Sequence, residues 1–335
     1  KASVLTRISF GSCLSQKEDQ SIWNSISATD PDLFLFIGDN VYGDVWSGDP
    51  HMGELRTAYR QLARSTPFAA LREQTTIMPV WDDHDYGLND NGGSYDLKYG
   101  GEALFEEAWA LPANDPRRSR DGVYHSEIIG PEGKRVQIIL LDTRFFRSDL
   151  KQTDEKGAPG KERYLPDPDP AKTMLGETQY DWLQEELSKP ADLRIIVSSV
   201  QVIADGHGWE AWATLPTDRQ RFYETISASG AEHVLLLSGD RHAGALYRKD
   251  GVLPYSLYEA TSSSLNLPGS KWREKNGETY IEPGPNRLGT MEYDVNFGQI
   301  DIDWEQDQLT LSLLGADSKT LQKVDIPFSD LQIVN

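Results

Sequence analysis

Five short apolar runs of this sequence end in residues that titrate or bind metals. The tips read Gly11-Ser12-Cys13, Gly38-Asp39-Asn40-Val41-Tyr42, Trp81-Asp82-Asp83-His84-Asp85, Leu141-Asp142-Thr143-Arg144 and Ser238-Gly239-Asp240-Arg241-His242. Taken singly, each has an ordinary explanation. A lone cysteine is most often a small core residue, and a lone tyrosine a buried aromatic with one hydrogen bond. Together at successive run ends they bring Cys13, Asp39, Tyr42, Asp83, Asp240 and His242 within reach of one another, because ligands of open α/β sheets bind beyond the carboxyl ends of the strands. Clustered carboxylates repel and rise in pKa unless a cation sits among them. Thiolate, phenolate and imidazole suit a transition metal, whereas carboxylate and amide oxygens suit calcium, magnesium or manganese. The mixture predicts two unlike metal positions sharing one acid, with Asp39 as the bridge. Two metals about 3.5–4 Å apart can hold a phosphate and activate a water for in-line attack.

The elements that must position these tips are legible as short runs rich in Val, Ile, Leu and Phe. Strands are predicted at 8–13, 33–38, 77–81, 136–141, 195–200 and 234–237, and helices at 54–73, 102–111, 178–187 and 217–227. Their alternation predicts α/β units. From about 255 to 330 the pattern changes to alternating strands, at 255–260, 291–295, 299–304 and 309–314, expected to be antiparallel. A turn at Gln306-Asp307 joins the last two into a hairpin. Two stretches rich in Gly, Pro and Ser, 153–176 and 262–289, read as long surface loops bordering the site. The chain is expected to form one domain over 1–335, without a separate N-terminal β-domain.

Composition narrows the partners. With 53 acidic against 33 basic residues the net charge is −20, which disfavours duplex nucleic acid or an anionic membrane as the main partner. The single cysteine, Cys13, precludes an intramolecular disulfide. No apolar run reaches the length of a membrane-crossing helix.

In order and in residue type, the five tips resemble the PhoD-type alkaline phosphatases of the calcineurin-like metallophosphoesterase superfamily, over roughly two thirds of the chain from Gly11-Ser12-Cys13 to Asp240-Arg241-His242. The resemblance implies a four-layer αββα sandwich, α/β (α+β) in class, with two mixed β-sheets face to face. It implies Fe(III) held by Cys13, Asp39, Tyr42 and His242, and one or two Ca2+ held by Asp39 and Asp240 with help from Asn89 ahead of Asp83, which would then serve a second calcium or stand behind the ligands. Mn, Zn or Mg are possible substitutes. It further implies that His84 serves the phosphoryl or leaving oxygen with Asp85 orienting it. Arg144 is either a clamp on the phosphate or an ion-pair partner of Asp142. The implied activity is hydrolysis of small phosphate esters, with monoesters ahead of diesters, by a metal-activated hydroxide, and the implied location is extracellular or periplasmic. Gln201 stands where the superfamily has a further histidine. Trp209, Trp212 and Arg219 resemble residues near the mouth of the site. Two rivals remain: a phospholipase-type diesterase with an apolar rim from Leu265, Leu267 and Trp272, and a non-catalytic calcium-binding surface protein, against which the thiol and phenol argue.

Overall fold

The structure is a computed structural model and describes residues 3–333. A six-stranded sheet has the order β13-β12-β11-β1-β2-β3, and a seven-stranded sheet the order β10-β8-β9-β7-β6-β5-β4. In the first, β1 (Arg7–Gly11), β2 (Leu33–Ile37) and β3 (Thr76–Val80) run parallel, and β11 (Asn296–Asp303), β12 (Gln308–Gly315) and β13 (Thr320–Pro327) extend it antiparallel. In the second, β5 (Val136–Leu140), β6 (Leu193–Val197), β7 (Val234–Ser238) and β9 (Leu257–Ser262) form the parallel centre. The antiparallel β4 (His125–Ile129) lies at one edge, with β8 (Gly244–Lys249) and β10 (Arg287–Glu292) on the other side.

Side-chain alternation produces the layers, because successive residues of a strand face opposite sides. Leu33, Leu35 and Ile37 of β2 join Val136, Ile138 and Leu140 of β5, with Ile195 and Leu235, in one core between the sheets. Phe34 and Phe36 face outward and pack on Trp23 of α1 (Ile22–Ser27), Leu55 of α2 (Gly53–Ala63) and Phe68 of α3 (Thr66–Gln74). On the far side, Ile139, Ile196 and Leu236 meet Tyr180 and Leu183 of α6 (Gly176–Leu187) and Phe222 and Ile226 of α7 (Pro216–Ser229). The result is the four-layer αββα sandwich with two mixed sheets. Two further helices, α4 (Asp83–Tyr86) and α5 (Lys98–Ala108), follow β3.

Several elements depart from expectation. The helix expected over 54–73 is two, because Pro67 supplies no N–H and its ring clashes with the preceding turn; Ser65 is extended, with ψ 113°, between them. The strand at the start of the C-terminal region is not simply antiparallel: β9 pairs parallel with β7 and antiparallel with β8. The edge strands β4 and β13 lack a buried alternating face and leave no apolar signature. The 262–289 loop contains a short helix, α8 (Gly269–Asn276), none of whose side chains is buried. Among the described residues, no helix is long and apolar enough to cross a membrane.

Candidate active site and metal centre

Cys13 and Asp39 each lie two residues beyond the end of a strand, and Asp240 lies two and His242 four residues beyond β7. All four adopt left-handed backbone conformations, with φ of 57°, 46°, 69° and 49°. For non-glycine residues this costs about 1–2 kcal/mol each, strain of the kind that collects at functional sites. Gly38 precedes Asp39 with φ 116°, and a Cβ there would meet the Asp82 Cβ at 2.7 Å, so only glycine lets β2 end against that acid.

The turns bring three donor groups together. The Cys13 Sγ is 3.3 Å from Asp39 Oδ2, and the Tyr42 hydroxyl is 2.9 Å from the same oxygen and 3.3 Å from His242 Nε2. Donor atoms of Cys13, Asp39 and His242 lie within 4.8 Å of one another, as do those of Asp39, Asp83 and His84, and those of Asp82, Asp83 and Asp240. Asp39 thus belongs to two of these groups and Asp83 to two. Cys13, Asp39 and Asp83 are buried, whereas Tyr42, His84, Asp240 and His242 are half-buried, so the cluster opens on one side.

The electrostatics are those of buried acids crowded together, with Arg144 and His84 as the positive groups beside them. Burial first, then Asp83, pushes Asp39 up to about 8. Burial with the neighbouring acids raises Asp240 well above the carboxylate range, and burial likewise raises Asp82 although Arg144 opposes it. Asp83 goes the other way: burial is overcome by His84, Arg144 and the Asp90 N–H, which hold it low. Burial and the same acids raise the Cys13 thiol and the Tyr42 phenol. His242 is neutral in character, since burial lowers it. Its Nδ1–H donates to the Leu267 carbonyl at 2.7 Å, which leaves the Nε2 lone pair facing Tyr42. The buried Asp82 Oδ2 has no hydrogen-bond partner. Unpaired buried oxygens, raised carboxylates, one thiol, one phenol and an imidazole lone pair form a donor set that fits cations, softer around Cys13 and all-oxygen around Asp83 and Asp240.

Two of the expected contacts are not made. Asp85 does not orient His84. Neighbours on a helix point about 100° apart, so Asp85 on α4 faces away from His84. It accepts from the Asp82 N–H at 2.7 Å, closing a capping box, and from the Asn40 N–H at 3.1 Å. Asp44 takes the orienting role: its Oδ2 is 2.7 Å from His84 Nδ1, and its Oδ1 accepts the Asn89 N–H at 2.8 Å. Burial opposes protonation of His84, but Asp83, Asp39 and Asp44 push it up to about 11. Arg144 is fully buried, and its guanidinium is spent within the protein: Nε donates to Asp82 Oδ1 and Nη1 to Glu210 Oε1, each at 2.6 Å. Nη2 lies 2.5 Å from the same Asp82 oxygen but makes no hydrogen bond, and it is 4.0 Å from Asp83 Oδ1. The pair with Asp142 is absent as well; the Asp142 oxygens accept the backbone N–H groups of Val123, Arg144 and Phe145. Arg144 backs the acids rather than presenting an open fork to a phosphate.

Of the two alternatives in the 82–90 segment, the Asp83 carboxylate lies with Asp39 and Asp240 in the acid groups, and Asn89 is half-buried with its backbone N–H bound by Asp44. Gln201 is committed: its amide oxygen is 3.0 Å from His207 Nε2, and its nitrogen donates to Tyr247 and Thr261. Trp212 is a core residue whose indole donates to Ser198, and Arg219 is paired with Asp205. Trp209 is half-buried between the guanidinium groups of Arg163 and Arg241, at 5.1 and 5.5 Å. The 153–176 loop reaches the site through Arg163 and Tyr164, which bond Asp90 at 2.6 and 2.7 Å. Leu265 is no rim residue but fully buried core. A crevice of 330 Å³ between the sheet edges at β3 and β4, lined by Arg72, Trp109, Arg117 and His125 among others, includes none of the cluster residues.

A segment of the chain is 28% identical over 120 residues to alkaline phosphatase D of Bacillus subtilis (strain 168), a match spanning 33% of this chain and 20% of that protein. A solved structure described as that of PhoD superposes with a TM-score of 0.70 at 15% identity, covering 100% of this chain and 72% of the other, a likeness of fold. The model of the PhoD-like phosphatase family matches residues 9–313, so that nearly the whole chain, all five tips included, belongs to the PhoD-like phosphatase family.

Proposed function

We propose that this chain is a metal-dependent phosphoric ester hydrolase acting first on small phosphate monoesters. The observation that carries the reading is Asp39, whose carboxylate lies among Cys13, Tyr42 and His242 on one side and Asp83 and His84 on the other. Cys13, Asp39, Tyr42 and His242 would hold Fe(III), since thiolate and phenolate are donors that calcium does not favour. Asp39, Asp83 and Asp240 would hold Ca2+, since the Asp83 carboxylate lies within 4.8 Å of donor atoms of both other acids; Asn89 is the alternative donor of the same segment. When bound, such a pair supplies Lewis acidity to the phosphoryl oxygens and acidifies the attacking water.

The protein's own part is orientation and proton supply. Asp44 fixes the His84 ring through Nδ1, and the Tyr42 ring lies against it with centroids 4.2 Å apart. The His84 Nε2–H is then the proton available to a leaving alkoxide, and the pairing of Nδ1 with Asp44 favours the protonated ring. Arg144, held by Asp82 and Glu210, keeps positive charge behind Asp83 and so favours its ionised form.

The test is hydrolysis of an aryl phosphate monoester and the matching diester, side by side at alkaline pH with calcium, with and without chelator. Chelator-sensitive monoester turnover is expected. Turnover of the diester alone would move the chain to the phosphodiesterase branch. Turnover of neither by metal-replete protein would leave the calcium-binding surface protein as the better reading.

A further inference from the structure

Helix α8 buries no side chain, although an eight-residue helix is marginal on its own in water. It persists because its ends are tied to the candidate site. The Gly269 N–H donates to the His242 carbonyl at 2.9 Å, and Arg241, one residue earlier, pairs with Glu282 where the segment returns. Arg273 lies 4.1 Å from the Tyr293 ring centre and donates to the Tyr280 carbonyl at 2.7 Å, holding the return run against the helix. Between these ties the segment presents Trp272, Tyr280 and Ile281 to solvent, 52%, 39% and 56% exposed. A second exposed tryptophan, Trp46, at 76%, stands two residues after Asp44 on the loop that reaches His84.

Apolar and aromatic side chains concentrated beside a site, on a segment held rigid without a core of its own, are the mark of a contact surface. We propose that the 269–282 segment docks the protein on a zwitterionic phospholipid surface, so that phosphodiesters of lipid headgroups come within reach of the site. Trp and Tyr favour the interface between headgroup and acyl chain, where ring and polar tip are both accommodated. The local charges balance, Lys271, Arg273 and Lys275 against Glu274, Glu278 and Glu282, which matches a headgroup carrying both signs. The net charge of −20 repels an anionic surface and leaves a neutral one as the partner. The substrate half of the proposal rests on the hydrolase reading above; the docking half does not.

The experiment is co-sedimentation with vesicles of pure phosphatidylcholine, and with vesicles containing phosphatidylglycerol, for the unaltered protein and for a Trp272→Ala, Tyr280→Ser, Ile281→Ser variant. These side chains are exposed, so the variant should keep its unfolding temperature and its turnover of a soluble aryl ester. The expected result is binding to phosphatidylcholine that falls about ten-fold or more in the variant, with weaker binding to the anionic vesicles. No binding to phosphatidylcholine, equal binding by the variant, or tighter binding to anionic vesicles overturns the proposal. So does a concentration-dependent dimer abolished by the same substitutions, which would make this surface an interface between copies. Vesicle binding without any ester turnover would sink the hydrolase reading and leave the docking surface standing.

Discussion

His84 and its two neighbouring acids carry the sharpest consequence at the scale of single residues. Asp44, not Asp85, holds the imidazole. Asp44→Asn should keep bound metal and KM but lower kcat by about 10–100-fold, the usual cost of losing the carboxylate behind a working histidine. Asp85→Asn should leave kcat per folded molecule nearly unchanged and lower stability by about 1–3 kcal/mol, since its oxygens accept from Asp82, Asn40 and Tyr59 in the interior. Steady-state kinetics, metal content and thermal unfolding of the two variants check the pair; the reverse pattern would return the orienting role to Asp85. The clustered residues were legible because each stands at the end of an apolar run. Asp44 was not, although it lies just two residues past Tyr42, because nothing in sequence says which nearby carboxylate a ring nitrogen meets. Arg144 likewise reads as a clamp until Glu210, 66 residues away, is seen to occupy its fork.

Among the elements, the strand ends are where fold and site meet. At Gly38 the backbone has φ 116° and no room for a Cβ against Asp82. Gly38→Ala should therefore destabilise the protein by about 1–3 kcal/mol and displace Asp39 and Asp82, weakening metal retention as well. Gly230, the C-cap of α7, also has a positive φ, 67°, but its Cβ would meet nothing within 4 Å. Gly230→Ala should cost about 1 kcal/mol and leave metal content intact. Unfolding midpoints and metal analysis of the two variants separate local strain from damage to the site, and equal metal loss in both would contradict the assignment. The parallel centre was legible because both faces are apolar. The edges β4 and β13 were not: β13 has one buried residue, Ile326, among eight, so register comes from its partner β12. Pro67 was the available signal for the break between α2 and α3, and the surrounding helical spacing masked it.

The whole molecule packs three apolar cores around a buried knot of acids, and its pH dependence follows. Burial foremost raises Asp39 to about 8, Asp85 to about 7 and Glu102 to about 8. Groups with raised folded pKa bind more protons folded than unfolded, so their contribution is present at low pH and lost as pH rises through the folded values. His84, raised to about 11, acts in the same direction above its ordinary range. Metal-stripped protein should thus lose stability between about pH 6.5 and about pH 8, above the range in which His125 and His207, lowered by burial first, act in the opposite sense, and added calcium should restore more at the upper end, where the acids it binds are ionised. Thermal unfolding with and without calcium reads this, and stability that climbs over that interval without metal would contradict it. At this scale the alternation of strands and helices was legible in the pattern of apolar runs. The sandwich itself was expected from the family resemblance, since pairing between segments as distant as β1 and β11 leaves no local pattern.

Asp39 is proposed to join two unlike cation positions, and the metal stoichiometry of four proteins decides it. The unaltered chain should retain iron and calcium, Cys13→Ser should lose iron and keep calcium, and Asp240→Asn should lose calcium and keep iron. Asp39→Asn should lose both, together with turnover. If Asp39→Asn kept either metal at full occupancy, or if Cys13→Ser left iron in place, the shared-acid arrangement would be wrong.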